Sequence, residues 1–268
     1  MSSLWAQFWA ARQPPADPTD SYSNMAVLVT GANSGLGHEA AVKCDPDIFS
    51  VETVELASFA SVKALADRIN AGTQPLHVAQ LAAGVAQWKY EKSPDEYEMT
   101  LQVNVLYQAL LALLLLPKLR AAAAAAATAS SEDGFVPHLS FLHSIAGFEV
   151  DPAWLPPGQS LIQRCNDQSK WDATKQYYLT KLALWEVVEG LADRCKNETE
   201  GQAIIVNATC PSGCKKNMGR NFPALVRPIL ALQHFVCGRT AEFGTGSSNP
   251  RGSNGAGSRE PRQALEER

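Results

Sequence analysis

The stretch that most constrains the fold is a short apolar segment followed at once by a glycine-rich loop. Residues 25–30 (MAVLVT) have the composition of a buried parallel strand, and residues 30–37 (TGANSGLG) continue directly from it. Glycines permit a tight turn and let the backbone approach a pyrophosphate closely, and the N–H groups at the start of the following helix are free to bind it. The sequence therefore predicts a strand–turn–helix unit that binds a nucleotide.

The remainder of the chain alternates between strand-like apolar segments and segments with helical spacing. Further strands are predicted at 51–56, 76–81, 139–143 and 203–208, and helices at 35–44, 58–71, 95–119, 173–194 and 222–237. This alternation predicts an α/β fold, a doubly wound parallel sheet with helices on both faces and ligands beyond the carboxyl ends of the strands. Residues 25–241 are predicted to form one domain, between an N-terminal segment at 1–24 and a tail at 242–268 that we expect to be disordered.

Composition and charge are those of a soluble globular protein. The chain has 268 residues, of which 46% are hydrophobic, and a net charge of -4, a balance that does not favour nucleic acid. Its six cysteines show no C-x-x-C pairing, so we expect reduced thiols, a cytoplasmic location and no metal site. The apolar run at 109–116 ends at Pro117 and is too short to cross a bilayer, so no stable membrane insertion is expected.

Tyr177 and Lys181 lie within a segment of helical spacing and are separated by one helical turn. This spacing puts both side chains on one helix face. A phenol loses its proton near about pH 10, and a nearby ammonium lowers that pKa, so a tyrosine placed in this way can give or take a proton near neutral pH. The adjacent Tyr178 leaves an alternative open, because either ring could be the packed one and the other the working one.

The loop from Thr30 to Gly37, of the form T-G-x-x-x-G-x-G, and the Y-x-x-x-K motif together resemble the short-chain dehydrogenase/reductase family. Two further matches occur in the family's order, Asn104 within the sequence LQVNV and Ser144 at the end of a predicted strand. The resemblance runs from about residue 25 to residue 241 and points to a fungal branch, several of whose members act in secondary metabolism. It implies a Rossmann-like fold.

The resemblance implies a chemical role for each matched residue. Tyr177 donates a proton to a carbonyl oxygen as hydride arrives from a nicotinamide, or accepts one in the reverse direction. Lys181 lowers the pKa of that phenol and binds the nicotinamide ribose, Ser144 orients the substrate oxygen, and Asn104 holds a water that connects Lys181 to solvent. The implied cofactor is NADP, with NAD as the alternative, and the implied cofactor-binding residues are Gly31, Ser34, Gly35, Leu36, Gly37, Glu55, Gly84, Tyr177, Lys181 and Cys214.

The chain departs from the family's pattern around the cofactor. Between Gly31 and Glu55 there is room for one helix and one strand, so one strand–helix unit is predicted to be missing. Glu55 has two interpretations: it replaces an adenine-contacting Asp, which the flanking residues favour, or it binds a ribose, which would favour NAD. The family's N-N-A-G is LAAG at 81–84, without the asparagine that braces the central strands, and the segment at 211–213 is P-S-G, with Lys216 where a threonine is usual.

The leading hypothesis is an NAD(P)-dependent oxidoreductase that reduces a ketone, or oxidises an alcohol, on a hydrophobic small molecule in fungal secondary metabolism. The long connection at 147–171 is expected to cover the substrate, and a homo-oligomer is compatible with the pattern. The alternatives are a catalytically dead paralogue that acts as a binding or scaffold protein, and a dehydratase or epimerase that uses the same residues. His143 has neither a G-x-S-x-G elbow nor a supporting acid beside it, so we expect a packing or surface role rather than hydrolase chemistry.

Overall fold

A parallel sheet of four strands forms the centre of the part of the chain that the computed structural model describes, residues 22–41, 49–128, 135–196, 203–211 and 222–223. The strands are β1 (Val27–Thr30), β2 (Val78–Leu81), β3 (His138–Leu142) and β4 (Ile205–Thr209), and they lie side by side in chain order. The predicted α/β class and parallel sheet are confirmed. The strand predicted last, at 203–208, is β4.

Five α-helices connect and follow the described strands. They are α1 (Gly35–Ala41), α2 (Phe59–Ala71), α3 (Met99–Thr128), α4 (Leu161–Asn166) and α5 (Ala173–Lys196). The connection between β3 and α5, which the sequence left without secondary structure, also contains 3-10 turns at Ile145–Glu149, Pro152–Trp154 and Gln168–Lys170. Helix α2 begins at an N-cap, Ser58, whose side chain accepts a hydrogen bond from the Ser61 N–H group.

The main hydrophobic core lies between one face of the sheet and the three long helices α2, α3 and α5. Ala79, Leu81, Leu139 and Phe141 alternate along β2 and β3 and are fully buried there. Among the described residues, helix α3 (99–128) is long and apolar enough to cross a membrane, although 67% of its most apolar window is buried inside the fold. That burial is typical of the core helix of a soluble protein.

The prediction of a strand at 51–56 is wrong. These residues form no ladder with any described strand. Their polar groups are bound by α2 instead: the Glu55 N–H group donates to the Ser61 hydroxyl, and the Arg68 side chain donates to Glu52 and to the Thr53 carbonyl. An extended segment becomes a strand only beside a neighbour with matching free backbone groups, and among the described residues β1 is an edge strand without one on this side.

The helix predicted at 95–119 has different ends. It begins at Met99, because the side chain of Glu98 caps it by accepting from the Leu101 N–H group, and it continues through Pro117 to Thr128. Residues Gln102–Leu106 form a π-helical stretch, a feature that recurs at functional sites. The predictions for residues 1–21, 42–44, 224–237 and 242–268 lie outside the described residues.

Candidate active site

The carboxyl ends of the four strands meet at one edge of the sheet. Thr30, Leu81, Phe141 and Ala208 are register partners across it. The segments that follow these strands, which include the glycine loop, Gly84 and Ser144, therefore emerge at the same edge, where ligands bind in parallel α/β sheets.

The glycine loop requires its glycines for steric reasons. Gly31 and Gly35 have φ angles of 72° and 61°, which side chains rarely adopt. A Cβ on Gly31 would lie 2.9 Å from the Ala83 Cα, and one on Gly37 would lie 2.6 Å from the Gly31 carbonyl oxygen. Within 4 Å of a Cβ on Gly35 there is nothing, so the space above this residue is open. A backbone free of side chains beside open space fits a pyrophosphate.

Tyr177 and Lys181 are brought together on α5 as predicted. The Lys181 ammonium lies 5.8 Å from the centroid of the Tyr177 ring. Lys181 is only 3% exposed, and its ammonium donates to the carbonyl of Leu142, the last residue of β3, at 2.8 Å. Lys181 is thus a buried cation that lies beside the Tyr177 ring and is bound to the carboxyl end of β3.

Tyr178, which is half-buried, packs against aromatic neighbours. It makes edge-to-face contacts with Trp154, at 6.2 Å between centroids, and with Tyr177, at 6.5 Å. Burial raises the pKa of the Tyr178 phenol, which is opposite to what a proton donor near neutral pH requires. The structure therefore favours Tyr177 as the working residue.

Ser144 follows β3 and caps a 3-10 turn that packs on α5. Its hydroxyl accepts from the Ala146 N–H group at 3.3 Å, while the Ile145 N–H group donates to the thiol of Cys210, the residue after β4. Three residues after Ser144, Gly147 lies so close to α5 that a Cβ there would be 2.9 Å from the carbonyl carbon of Lys181. Ser144 is therefore held against the helix that carries Tyr177 and Lys181.

His143 is a packed, neutral ring, in line with the role expected for it. It is 5% exposed, its Nε2 lies 2.7 Å from the Lys181 carbonyl oxygen, and its ring makes a tilted contact with Phe148 and an edge-to-face contact with Trp185. Burial, and then the nearby Lys181 ammonium, lowers its pKa to about 4. It supports the backbone of α5 at the position of Lys181.

Asn104 joins three elements in the π-helical stretch. Its side chain accepts from the Val85 N–H group at 2.8 Å and donates to the Val85 carbonyl at 2.9 Å and the Thr180 hydroxyl at 3.2 Å. The Thr180 hydroxyl donates in turn to the Tyr177 carbonyl. Asn104 thus connects the segment after β2 with the turn of α5 between Tyr177 and Lys181.

The remaining predicted cofactor residues that the structure describes lie in the glycine loop, after β2 and before α2. Leu36 is buried at the start of α1, and Ser34 is half-buried in the loop. Gly84 lies between Ala83, which contacts the glycine loop, and Val85, which Asn104 holds. Glu55 is exposed, and its carboxylate accepts from the Ala57 N–H group of its own turn, so its cofactor role stays a prediction. Cys214 lies outside the described residues.

Sequence reasoning missed Glu98, a fully buried carboxylate that ties α3 to the start of α5. It accepts hydrogen bonds from three groups, the Leu101 N–H, the Trp171 indole and the Gln176 amide. Gln176 immediately precedes Tyr177, so Glu98 fixes the first turn of the helix that presents the phenol. The only signal in the sequence was an acidic residue at a helix start, which usually indicates an exposed cap.

Comparisons with known proteins identify relatives of the chain. The chain is 35% identical to the short-chain dehydrogenase/reductase ffsI of Aspergillus flavipes, over 91% of this chain and 78% of that protein. It is 32% identical to the short-chain dehydrogenase/reductase phmF of Phaeosphaeria nodorum, over 87% of this chain and 75% of that protein. No family model matches the chain.

Two solved structures share the fold at low identity. A protein described as an NAD(P)-dependent gluconate 5-dehydrogenase from Beutenbergia cavernae, with bound NADP, has a TM-score of 0.59 and 17% identity over 84% of this chain and 88% of that one. A short-chain dehydrogenase/reductase from Burkholderia phymatum, in complex with NAD, has a TM-score of 0.56 and 18% identity over 85% of each chain. At these identities the two structures indicate the fold alone.

Proposed function

The chain belongs to the short-chain dehydrogenase/reductase family, and from this premise we propose that it reduces a ketone, or oxidises the corresponding alcohol, on a hydrophobic small molecule with NADP as its preferred cofactor. It is an NAD(P)-dependent oxidoreductase. The observation that carries the proposal is the buried Lys181 ammonium, held by the Leu142 carbonyl beside the Tyr177 ring at the sheet edge where the glycine loop also emerges.

The residues present fit the cofactor, and we assign cofactor binding and proton transfer to different groups among them. The backbone of Gly31, Gly35 and Gly37 would hold the pyrophosphate, and Lys181 would bind the nicotinamide ribose. When bound, the cofactor supplies or accepts the hydride. Tyr177 gives its hydroxyl proton to the substrate oxygen in reduction, and the adjacent ammonium stabilises the phenolate left behind. Ser144 keeps its proton and donates a hydrogen bond to the same oxygen, which orients it, a task that its position against α5 supports.

The preference for NADP is a proposal supported by the surroundings of Glu55. Its carboxylate is engaged by the Ala57 N–H group at 2.9 Å, which favours the interpretation in which it does not serve as a ribose-binding acid. The hydrophobic substrate is supported by the residues next to Tyr177, because Trp154 and Tyr178 are half-buried aromatic groups in contact with each other. A step in fungal secondary metabolism and a cytoplasmic location complete the proposal, and the fungal source of the relatives supports the first of these.

The test uses the full chain with NADPH and NADH, each titrated by fluorescence, followed by turnover on a panel of hydrophobic ketones. Tyr177→Phe removes only the proton donor, so we expect turnover to fall roughly 10²-fold or more while the Kd for NADPH stays unchanged. Tyr178→Phe is the matched control and should keep most of the activity. Equal losses in the two variants would contradict the assignment of Tyr177. A folded wild-type protein that binds neither nucleotide would refute hydride transfer and favour the scaffold alternative.

A further inference from the structure

The segment that faces the glycine loop has no hydrogen-bonding side chain of its own. Residues 81–84 are Leu, Ala, Ala and Gly. Yet Gly31 and Ala83 are in such close contact that no Cβ fits between them. The separation between the two segments must therefore be set by backbone groups and by side chains from elsewhere.

Thr30 supplies the first part of this connection. Its hydroxyl oxygen accepts from the Ala82 N–H group at 3.0 Å and from the Ala83 N–H group at 3.3 Å. A hydroxyl has two acceptor lone pairs and one proton, so these bonds use both lone pairs and leave the Thr30 proton to be donated. An acceptor must lie within reach, because a buried donor without one is costly.

Tyr107 provides that acceptor. Its hydroxyl oxygen lies 3.1 Å from the Thr30 hydroxyl, and its own proton is directed to the Ala83 carbonyl at the long distance of 3.5 Å. Tyr107 is fully buried, and burial raises the pKa of its phenol, so the group is protonated and can donate near neutral pH. The bonds form a closed chain from Thr30 through Tyr107 to Ala83.

The same part of α3 also holds the other side of this segment. Gln108 donates from its amide to the Ala83 carbonyl at 3.3 Å and to the Asn104 carbonyl at 2.9 Å, while the Asn104 side chain binds Val85. The stretch from Asn104 to Gln108 thus holds Ala83–Val85 in place by side-chain hydrogen bonds. Among the described residues, the side-chain bonds of this stretch reach the strand end that bears the glycine loop only through Tyr107.

We propose that Tyr107 is a positioning residue for the cofactor, one that sets the glycine loop relative to Ala83–Gly84 and to Asn104 by its bond to Thr30. Tyr107 does not touch the reacting atoms. It determines whether Gly31–Gly37 stands where a pyrophosphate can bind while the nicotinamide reaches Tyr177. This inference rests on the proposed use of NAD(P), and it predicts an effect on cofactor affinity rather than on the chemical step.

The test is Tyr107→Phe in the full chain, with Tyr90→Phe as the matched control. Tyr90 also loses one phenol hydrogen bond, to the Asn166 carbonyl at 3.3 Å, but it does not contact the loop. We expect the Kd and KM for NADPH to rise roughly fivefold to tenfold in Tyr107→Phe, the fold-change that corresponds to one net buried hydrogen bond, with kcat at saturating NADPH within about twofold of wild type. Tyr90→Phe should leave the Kd for NADPH unchanged.

A second pair of variants keeps the inference testable if Tyr107→Phe does not fold. Thr30→Val removes the other hydroxyl and should raise the Kd for NADPH, whereas Thr30→Ser keeps the hydroxyl and should restore wild-type binding. An unchanged Kd for NADPH in folded Tyr107→Phe, or an equal rise of this Kd in Tyr90→Phe, would overturn the positioning role of Tyr107 and leave the proposed function intact. Failure of the wild-type protein to bind NADPH would instead refute the proposed function.

Discussion

Gly147 is the position where one added methyl group should separate the 3-10 turn after Ser144 from α5. A Cβ there would lie 2.9 Å from the Lys181 carbonyl carbon, 3.0 Å from the Leu182 nitrogen and 3.0 Å from the His143 ring. Two of these neighbours are helix backbone atoms that cannot rotate away. Gly147→Ala must therefore push the 3-10 turn off α5, and overpacking of this kind costs about 1–3 kcal/mol.

The helix offers a matched control in Gly190→Ala. A Cβ at Gly190 meets nothing within 4 Å, and the residue lies inside α5. Alanine is favoured over glycine in a helix interior by about 1 kcal/mol, so this variant should be more stable than wild type. The same chemical change is thus expected to have opposite signs at two sites.

Urea denaturation gives the free energy of unfolding for each variant, and the kcat/KM measured with a verified substrate reports the site. For Gly147→Ala we expect a loss of roughly tenfold or more in kcat/KM, because displacement of Ser144 misplaces the substrate oxygen relative to Tyr177. Gly190→Ala should retain wild-type kcat/KM. A Gly147→Ala protein as stable and as active as wild type would show that the turn and α5 are not packed as described.

Two further predictions concern buried ionisable groups. Glu98→Gln replaces an acceptor of three hydrogen bonds with a group that can accept fewer, so the free energy of unfolding should fall by about 1–3 kcal/mol, and an unchanged midpoint in urea would contradict this. The pKa of His143 falls from 6.5 to about 4 on folding, so the unfolded chain binds more protons between these values. The contribution of His143 to the free energy of unfolding should be fully present above about pH 6.5 and fall by about 3 kcal/mol as the pH falls to 4. This part of the acid-induced loss should be absent in His143→Gln, measured by urea denaturation across the same pH range.

Local patterns in the sequence were sufficient to place Tyr177 beside Lys181 and to predict the glycine loop. The spacing of Tyr177 and Lys181 fixes their common helix face, and the positive φ angles of Gly31 and Gly35 are what a tight loop after a strand requires. That residues 51–56 do not form a strand could not be predicted in this way. Its composition suits a strand, but a ladder depends on a neighbouring strand, and α2 binds its polar groups instead.

The hydrogen-bond partners of Tyr107 and Glu98 were beyond sequence reasoning for a different reason. Thr30 and Tyr107 are far apart in the chain, and only the folded sheet and α3 bring their hydroxyls to 3.1 Å. Within an apolar helix a tyrosine most often fills space, and its hydroxyl partner cannot be read from neighbouring residues. The buried polar residues Asn104, Tyr107 and Gln108, which stand together just before the apolar run, are the signal that could have raised the question.

The position of α3 couples the two halves of the site. Its π-helical stretch presents Asn104 toward α5, and the next turn presents Tyr107 toward the glycine loop. A small shift of α3 would therefore move both the glycine loop and α5, which carries Tyr177. The loss of the Tyr107 hydroxyl would move the glycine loop alone. Cofactor affinity and the proton-transfer step should consequently respond separately to Tyr107→Phe and Tyr177→Phe, and together to any change that tilts α3.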